Sequence, residues 1–183
     1  MFLSLDGYIE GPNGEFVAPD WSDDLERHWS GHAMAQAGRF LYGRVNFLFN
    51  KGFWAPAETD PESPAAGIAH AAMMNATPKT VFSTTLTGDP GWNGTVVADD
   101  LPGAVARLKA EEEKDLFMFG GAGIANSFMK LDLIDEYRLM VTPNLLGDGK
   151  RLFDGGTDRL GLTLAETLPL DTGAVILTYR RDR

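Results

Sequence analysis

Apolar and polar positions along this 183-residue chain follow two successive grammars. Up to about residue 133, short apolar runs alternate with stretches of helical period; beyond it, alternation with a period of two takes over. Phe2 to Ile9 reads as the end of a strand, followed by a loop through Gly11, Pro12, Asn13 and Gly14. Residues 22–37 read as a helix, with Ser22 as N-cap and Asp23 and Asp24 in the first turn. Arg39 to Tyr42 is a short strand that Gly43 turns into a helix over 44–50. The proline-interrupted stretch 55–66 is loop, and Ala65 to Ala76 is a helix stopped by Pro78. Thr80 to Ser83 and Thr95 to Ala98 are strands, and Leu101 to Glu113 is a helix with Pro102 in its first turn. Leu116-Phe117-Met118-Phe119 is a buried strand running into a glycine cluster, after which Ile124 to Lys130 begins a helix. Finally, Ile134 to Thr142, Gly161 to Leu168 and Ala174 to Arg180 alternate, the last two joined by Pro169 to Gly173 at hairpin length. The pattern predicts an α/β fold: a mainly parallel central sheet with helices on its faces, finished by an antiparallel C-terminal hairpin.

Composition sharpens this only in places. With 44% apolar and 23% charged residues the chain is expected to form one domain over 1–183. A net charge of −10 argues against nucleic acid, which needs a basic face, but leaves room for a small anion at a local positive site. No apolar run is long enough to span a membrane. The N-terminus, with Asp6 and Glu10, does not read as a signal peptide, so a cytoplasmic, bacterial-type protein is the expectation. Zero cysteines exclude disulfides, cysteine–zinc sites and thiol catalysis.

The candidate chemistry is concentrated in two places. The first is the turn Gly120-Gly121-Ala122-Gly123-Ile124 between a strand and a helix. Glycines let a ligand approach the backbone, and the unpaired N–H groups of a first helical turn point at a phosphate; the alternative is a tight turn that binds nothing. A Rossmann reading is rejected, because the chain that follows reads as a hairpin-rich edge. The second place is the helix at 22–37. Asp24 and His28 stand at i and i+4 on one face, with Trp21 before them. Asp23 and Asp24 read as charges favouring a helix N-terminus. The segment also resembles the helix after a Trp-containing loop in dihydrofolate reductases, which implies Asp24 as a substrate anchor or proton relay and His28 as a pocket wall or acid. His32 continues the i+4 series, but two histidines one turn apart are more often a solvated surface than a metal face, and no metal is expected. Phe47, Phe53, Trp54 and Trp92 read as packing, and Glu111-Glu112-Glu113 as a solvated helix end.

Seven segments in order then carry a resemblance. They are Ser4-Leu5-Asp6-Gly7-Tyr8-Ile9, Tyr42-Gly43-Arg44, Lys79 to Leu86, Gly120 to Gly123, Leu133 to Arg138, Pro143 to Phe153 and Thr172 to Tyr179. Over residues 3–181 the chain resembles the dihydrofolate reductase-like superfamily. More narrowly, it resembles the reductase domain of the bifunctional riboflavin-biosynthesis deaminase-reductase and its stand-alone bacterial relatives. The resemblance implies a three-layer dihydrofolate reductase-like fold, NADPH as hydride donor, a homodimer and a heterocyclic substrate. The family's reference reaction reduces 5-amino-6-(5-phosphoribosylamino)uracil. Alternatives are a pterin reductase or a non-catalytic nucleotide-binding dimeric module.

By position, the resemblance places Gly120, Gly121, Ala122, Gly123 and Ile124 at the pyrophosphate, and Gly43 and Arg44 at another phosphate. It places Ser83, Thr84 and Thr85 at the adenosine 2′-phosphate. Ser4, Leu5, Asp6 and Ile9 fall near the nicotinamide and substrate, and Asp6, Asp24 and His28 are the candidate catalytic residues. Asp6 is expected to have its pKa raised by desolvation. Thr84 stands where many relatives carry arginine, and Asn46 where they carry threonine. For a phosphorylated substrate, the cations in evidence are Lys150 and Arg151, on what reads as a loop.

Overall fold

The computed structural model describes residues 1–155 and 158–182. In chain order the elements are β1 (Phe2–Ser4), β2 (Tyr8–Glu10), α1 (Asp23–Leu25), a π-helical segment (Glu26–Ser30), α2 (Gly31–Gln36), β3 (Ala37–Gly43), α3 (Arg44–Trp54) and a 3-10 turn (Ala55–Glu58). They continue with α4 (Ala71–Ala76), β4 (Lys79–Phe82), β5 (Gly94–Val97), α5 (Leu101–Glu111), β6 (Asp115–Met118) and α6 (Ala122–Lys130). The last four are β7 (Glu136–Thr142), β8 (Lys150–Arg151), β9 (Leu162–Pro169) and β10 (Val175–Arg181). The mixed α/β class with parallel strands and a C-terminal antiparallel hairpin is the one the pattern predicts. The chain forms two compact units, Ser30–Gly121 on one hand and Met1–Trp29 with the residues from Ala122 onward on the other.

The unit Ser30–Gly121 is built on a four-stranded, wholly parallel sheet in the order β5-β4-β3-β6. Its central strands are apolar runs rather than alternations: Phe40, Leu41 and Tyr42 are buried, as is every residue of β4. Phe40, Tyr42, Phe47, Met74 and Val81 form its core, against which Trp54 and Trp92 pack, as the sequence predicts for these aromatics. Lys79 is the exception in a buried row. Its ammonium donates to the Asn75 carbonyl at 2.8 Å, closing the end of α4, and lies 4.1 Å from the centre of the Trp92 ring. Burial lowers its pKa to about 8, against a smaller opposing pull from Glu58.

Three expectations are corrected in this unit. The predicted helix 65–76 exists only as α4, because Gly67 takes a left-handed φ of 79° and breaks the preceding turns. The predicted loop 55–66 opens with a 3-10 turn, because α3 runs on to Trp54 and Pro56 sits in a first turn where its missing N–H costs nothing. Glu112 is no free helix end: its carboxylate meets the Arg39 guanidinium of β3 at 2.7 Å.

The second unit carries the sheet β1-β7-β10-β9, in which β1 runs parallel to β7 and the other neighbours antiparallel. Leu170 to Ala174 closes the hairpin, with the Leu170 N–H donating to the Ala174 carbonyl at 2.8 Å. The core joins Leu25 of α1 to Met140 of β7 and to Leu170, Ala174 and Ile176 of the hairpin, with Phe2 and Trp29 packed on it. The predicted helix 22–37 starts as expected, the Ser22 hydroxyl accepting from the Leu25 N–H at 3.1 Å. It is not one regular helix, since Glu26–Ser30 is π-wound between α1 and α2. Lys150 and Arg151, read as loop, form the short strand β8 antiparallel to β2; two residues among glycines carry no period to read. β9 is an edge strand with its side chains exposed along almost its whole length. Among the described residues no helix is long and apolar enough to cross a membrane.

Candidate functional site

Because the sheet of the unit Ser30–Gly121 is wholly parallel, the carboxyl ends of its strands share one edge: Gly43 stands opposite Phe82, and Phe82 opposite Val97. The chain lays down β3, β4 and β5 outward in one direction and returns to place β6 on the other side of β3. Ligands of open α/β sheets bind where the order reverses in this way, beyond the carboxyl ends. At that place β3 ends on Gly43 and α3 begins on Arg44, with no side chain among the described residues capping its first N–H groups. Those donors, with the positive end of the helix dipole, suit an anion.

β6 ends beside it and leads into Gly120 and Gly121, at φ 86° and 84°, before α6 starts on Ala122. Both φ values lie in the region that favours glycine. Between the two loops the Asn46 side chain donates to the Phe119 carbonyl, and a Cβ on Gly120 would stand 3.2 Å from its Nδ2. Ser83 follows β4 on the same edge. Its hydroxyl accepts from the N–H groups of Thr85 and Leu86, at 3.2 and 3.0 Å, and shapes a turn that leaves Thr84 and Thr85 exposed. The donors here fit a dinucleotide phosphate: backbone N–H groups, hydroxyls and the exposed Arg44. Ala122, Gly123 and Ile124 form the first turn of α6, where the Asn126 side chain donates to the Ala122 carbonyl at 2.9 Å.

In the second unit, Asp6 sits in the turn between β1 and β2. Its carboxylate accepts from the Ser4 hydroxyl at 2.7 Å, the Gly147 N–H at 2.8 Å and the Leu146 N–H at 3.1 Å. Desolvation does not win: the Ser4 bond above all, with the two backbone N–H groups, lowers the Asp6 pKa to about 2. The expected raised pKa is thereby corrected. Asp6 is an ionised clamp holding the 144–147 loop to the β1–β2 turn. Its neighbour Leu5 is fastened to the same loop through its N–H to the Asn144 carbonyl at 2.9 Å, and Leu5 and Leu145 both stand exposed.

Ser4 and Ile9 line a small cleft with Val17, Asn144 and Leu146. Arg151 stacks over the Tyr8 ring at 4.4 Å and donates to the Tyr8 hydroxyl at 2.9 Å and the Asp6 carbonyl at 3.1 Å. Lys150 lies 3.8 Å from Glu10. Both cations flagged by the sequence are thus engaged by their own unit. The Tyr8–Arg151 stack has no signal in sequence spacing, since 143 residues separate its members.

Asp24 and His28 do come together, with Asp24 Oδ1 3.5 Å from His28 Nε2 and both side chains about one-third exposed. The other Asp24 oxygen accepts from the Asp171 N–H in the β9–β10 turn at 3.2 Å, and the Ser22 hydroxyl donates to the Asp171 carboxylate at 2.6 Å. Among the described residues, the hydrogen bonds of the Asp6 carboxylate and those of Asp24 run to different partners.

A parallel sheet with this carboxyl edge, joined in one chain to a β1-β7-β10-β9 sheet, is the fold of the RibD-type reductase domains. The chain belongs to the RibD C-terminal domain family, whose model matches residues 1–176. It is 31% identical over 179 residues to the uncharacterized protein YyaP of Bacillus subtilis (strain 168), a match covering 98% of this chain and 91% of that protein. Among solved structures it is similar to a candidate riboflavin biosynthesis protein from Shewanella sp. PV-4, with a TM-score of 0.78 and 26% identity over 100% of this chain and 97% of that one. It also shares the fold of the Thermotoga maritima diaminohydroxyphosphoribosylaminopyrimidine deaminase/5-amino-6-(5-phosphoribosylamino)uracil reductase, with a TM-score of 0.67 and 15% identity. That match covers 99% of this chain but 55% of the Thermotoga chain.

Proposed function

We propose that this protein is an NADPH-dependent reductase of a pyrimidine- or pterin-like heterocycle. The observation that carries the reading is the carboxyl edge of the parallel sheet, where the uncapped start of α3 and the Gly120-Gly121 pair stand on adjacent strands. In this reading Gly43 and Arg44 hold one phosphate and residues Gly120 to Ile124 the pyrophosphate. Ser83, Thr84 and Thr85 receive the 2′-phosphate, and Ser4 and Ile9 border the nicotinamide. When bound, NADPH supplies a hydride.

The chain's own residues must then supply a proton and a binding surface. Asp6, ionised and triply hydrogen-bonded, serves as a fixed acceptor that positions Leu5 and the 144–147 loop. His28, beside Asp24, is the side chain this reading assigns to proton transfer. The engagement of Lys150 and Arg151 favours, within this class, a ring without a phosphate tail over the ribosyl phosphate substrate of the reference reaction. We further propose a homodimer, in which the exposed β9 edge is covered by a second copy.

The test is a titration with NADPH followed by nicotinamide fluorescence, then turnover assays. The substrates are the phosphoribosylaminouracil, its dephosphorylated nucleoside and dihydropterins. Saturable binding and oxidation of NADPH with one ring class supports the reading. Binding with no turnover of any ring favours a nucleotide-binding module, and no binding overturns the proposal.

A further inference from the structure

The π-helical segment Glu26–Ser30 poses a question that the reductase reading leaves unanswered. A π turn widens the backbone and disturbs the usual i to i−4 pairing, and such turns concentrate at functional sites. Here the carbonyl of His28 has an outside partner: Arg138 of β7 donates to it through Nη2 at 3.0 Å. The Arg138 side chain is 15% exposed. Its Nη1 donates to Thr178 Oγ1 of β10 at 2.9 Å and to Glu166 Oε2 of β9 at 3.0 Å.

Strand register pairs Arg138 with Thr178 and Thr178 with Glu166, so the three side chains form a row straight across the sheet. The row lies on the face that carries Met140, the face on which Leu25 packs. An arginine on a core-facing position is costly, and its Nε is buried without a hydrogen-bond partner among the described residues. A hydrophobic side chain would serve packing better. What the guanidinium adds is its fork, which reaches three acceptors at once, as a lysine nitrogen does not in the same geometry. The hairpin also holds the other end of this helical stretch, through the Asp171 N–H on Asp24. One anchor on β7 and one in the hairpin turn therefore bracket the Asp24–His28 pair.

We propose that Arg138 is a positioning residue that pins the π turn at the His28 carbonyl and so sets the imidazole against Asp24. The catalytic consequence rests on the reading of that pair as the proton-handling site; the geometry does not, and it is testable without turnover. The experiment uses the full chain and the ring resonances of its three histidines by NMR at one fixed pH, with His28 assigned by its loss in His28→Gln.

In the wild type, Asp24→Asn should shift the His28 ring signals. In an Arg138→Met background the same substitution should leave them unmoved, while the signals of His32 and His70 stay in place and report an intact fold. Arg138→Lys, which keeps the charge and burial, should fail to restore the coupling, and it replaces Arg138→Met as the test should the latter not fold. Persistence of the Asp24→Asn shift in either folded variant overturns the proposal. Loss of the coupling in the Arg138 variants, with turnover indifferent to Asp24→Asn, confirms the positioning and retires the catalytic role of the pair alone.

Discussion

Asn46, in the first turn of α3, donates its side-chain N–H to the carbonyl of Phe119 at the end of β6. One amide thus ties together the two loops on either side of the point where the strand order reverses, and the two candidate phosphate loops are held as a unit. Their rigidity makes the glycines between them sensitive positions.

Gly121→Val is expected to abolish NADPH binding while the protein remains folded. Its φ of 84° is strained for any residue with a Cβ, at roughly 1–2 kcal/mol, and worst for a β-branched one. A side chain here would also keep a ligand from approaching the backbone in the proposed reading. Circular dichroism reports the fold and fluorescence titration the affinity. A folded variant with wild-type affinity would show that the pyrophosphate does not dock there.

The cofactor preference is expected to be modest. Thr84 stands exposed where an arginine would offer a charge-assisted hydrogen bond to the 2′-phosphate. Such a bond contributes about 1.5–3 kcal/mol, roughly ten- to a hundred-fold in affinity. The ratio of the NADPH and NADH dissociation constants measures it, and a preference far above that range would assign the missing charge to another residue, Arg44 foremost.

Asp6 predicts an acid-side effect on stability. Its folded pKa of about 2 lies below the ordinary 3.8, so the clamp's contribution is complete above that ordinary value and is lost as pH falls toward 2. The difference in Tm between the wild type and Asp6→Asn should be widest at pH 5 to 7 and should close as pH falls from about 4 to about 2. A gap independent of pH over that window would contradict the ionised clamp.

Lys79 predicts the opposite flank. Below pH 8 it is charged in both folded and unfolded chains, and its burial costs in full. Between about 8 and its ordinary 10.5, the folded chain releases the proton and the unfolded chain retains it, so stability contributed by this position rises with pH. Denaturant midpoints of the wild type relative to Lys79→Met should move in the wild type's favour from pH 8 to pH 10. A flat difference would mean that the ammonium is not desolvated in the Trp92 box.

Light scattering tests the second copy. A homodimer covering β9 should show twice the monomer's mass at micromolar concentration, and Leu164→Lys, on a side chain 51% exposed in one copy, should halve it without unfolding the chain. A monomeric wild type would dismiss the dimer.

Features whose causes lie close together in sequence were legible in it. Ser22 caps its helix three residues on, the glycine turn sits between a strand and a helix, and the last two strands close as a hairpin. What escaped depends on distant partners. The low pKa of Asp6 is made in part by N–H groups 140 and 141 residues away, and Glu112 finds Arg39 across 73 residues. The π turn keeps the apolar pattern of a helix, so no period betrays it. Nothing in its neighbours in sequence marks Lys79 as buried, yet it is fully buried because Trp92 and the end of α4 close around it.

The π turn also sets a limit on how this segment can change length. It holds one residue more than a regular helix would need within Glu26–Ser30, the stretch that follows the anchor at Asp24 and carries the anchor at the His28 carbonyl. Deleting a residue of the turn would let the helix wind regularly, but it would rotate Asp23 to Leu25 by about 100° relative to the residues beyond the deletion. Leu25 would leave the core and Asp24 would leave Asp171, or the contacts beyond the deletion would break. Any lineage that keeps both anchors is therefore barred from losing a residue here, and the surplus residue becomes an inherited part of the fold.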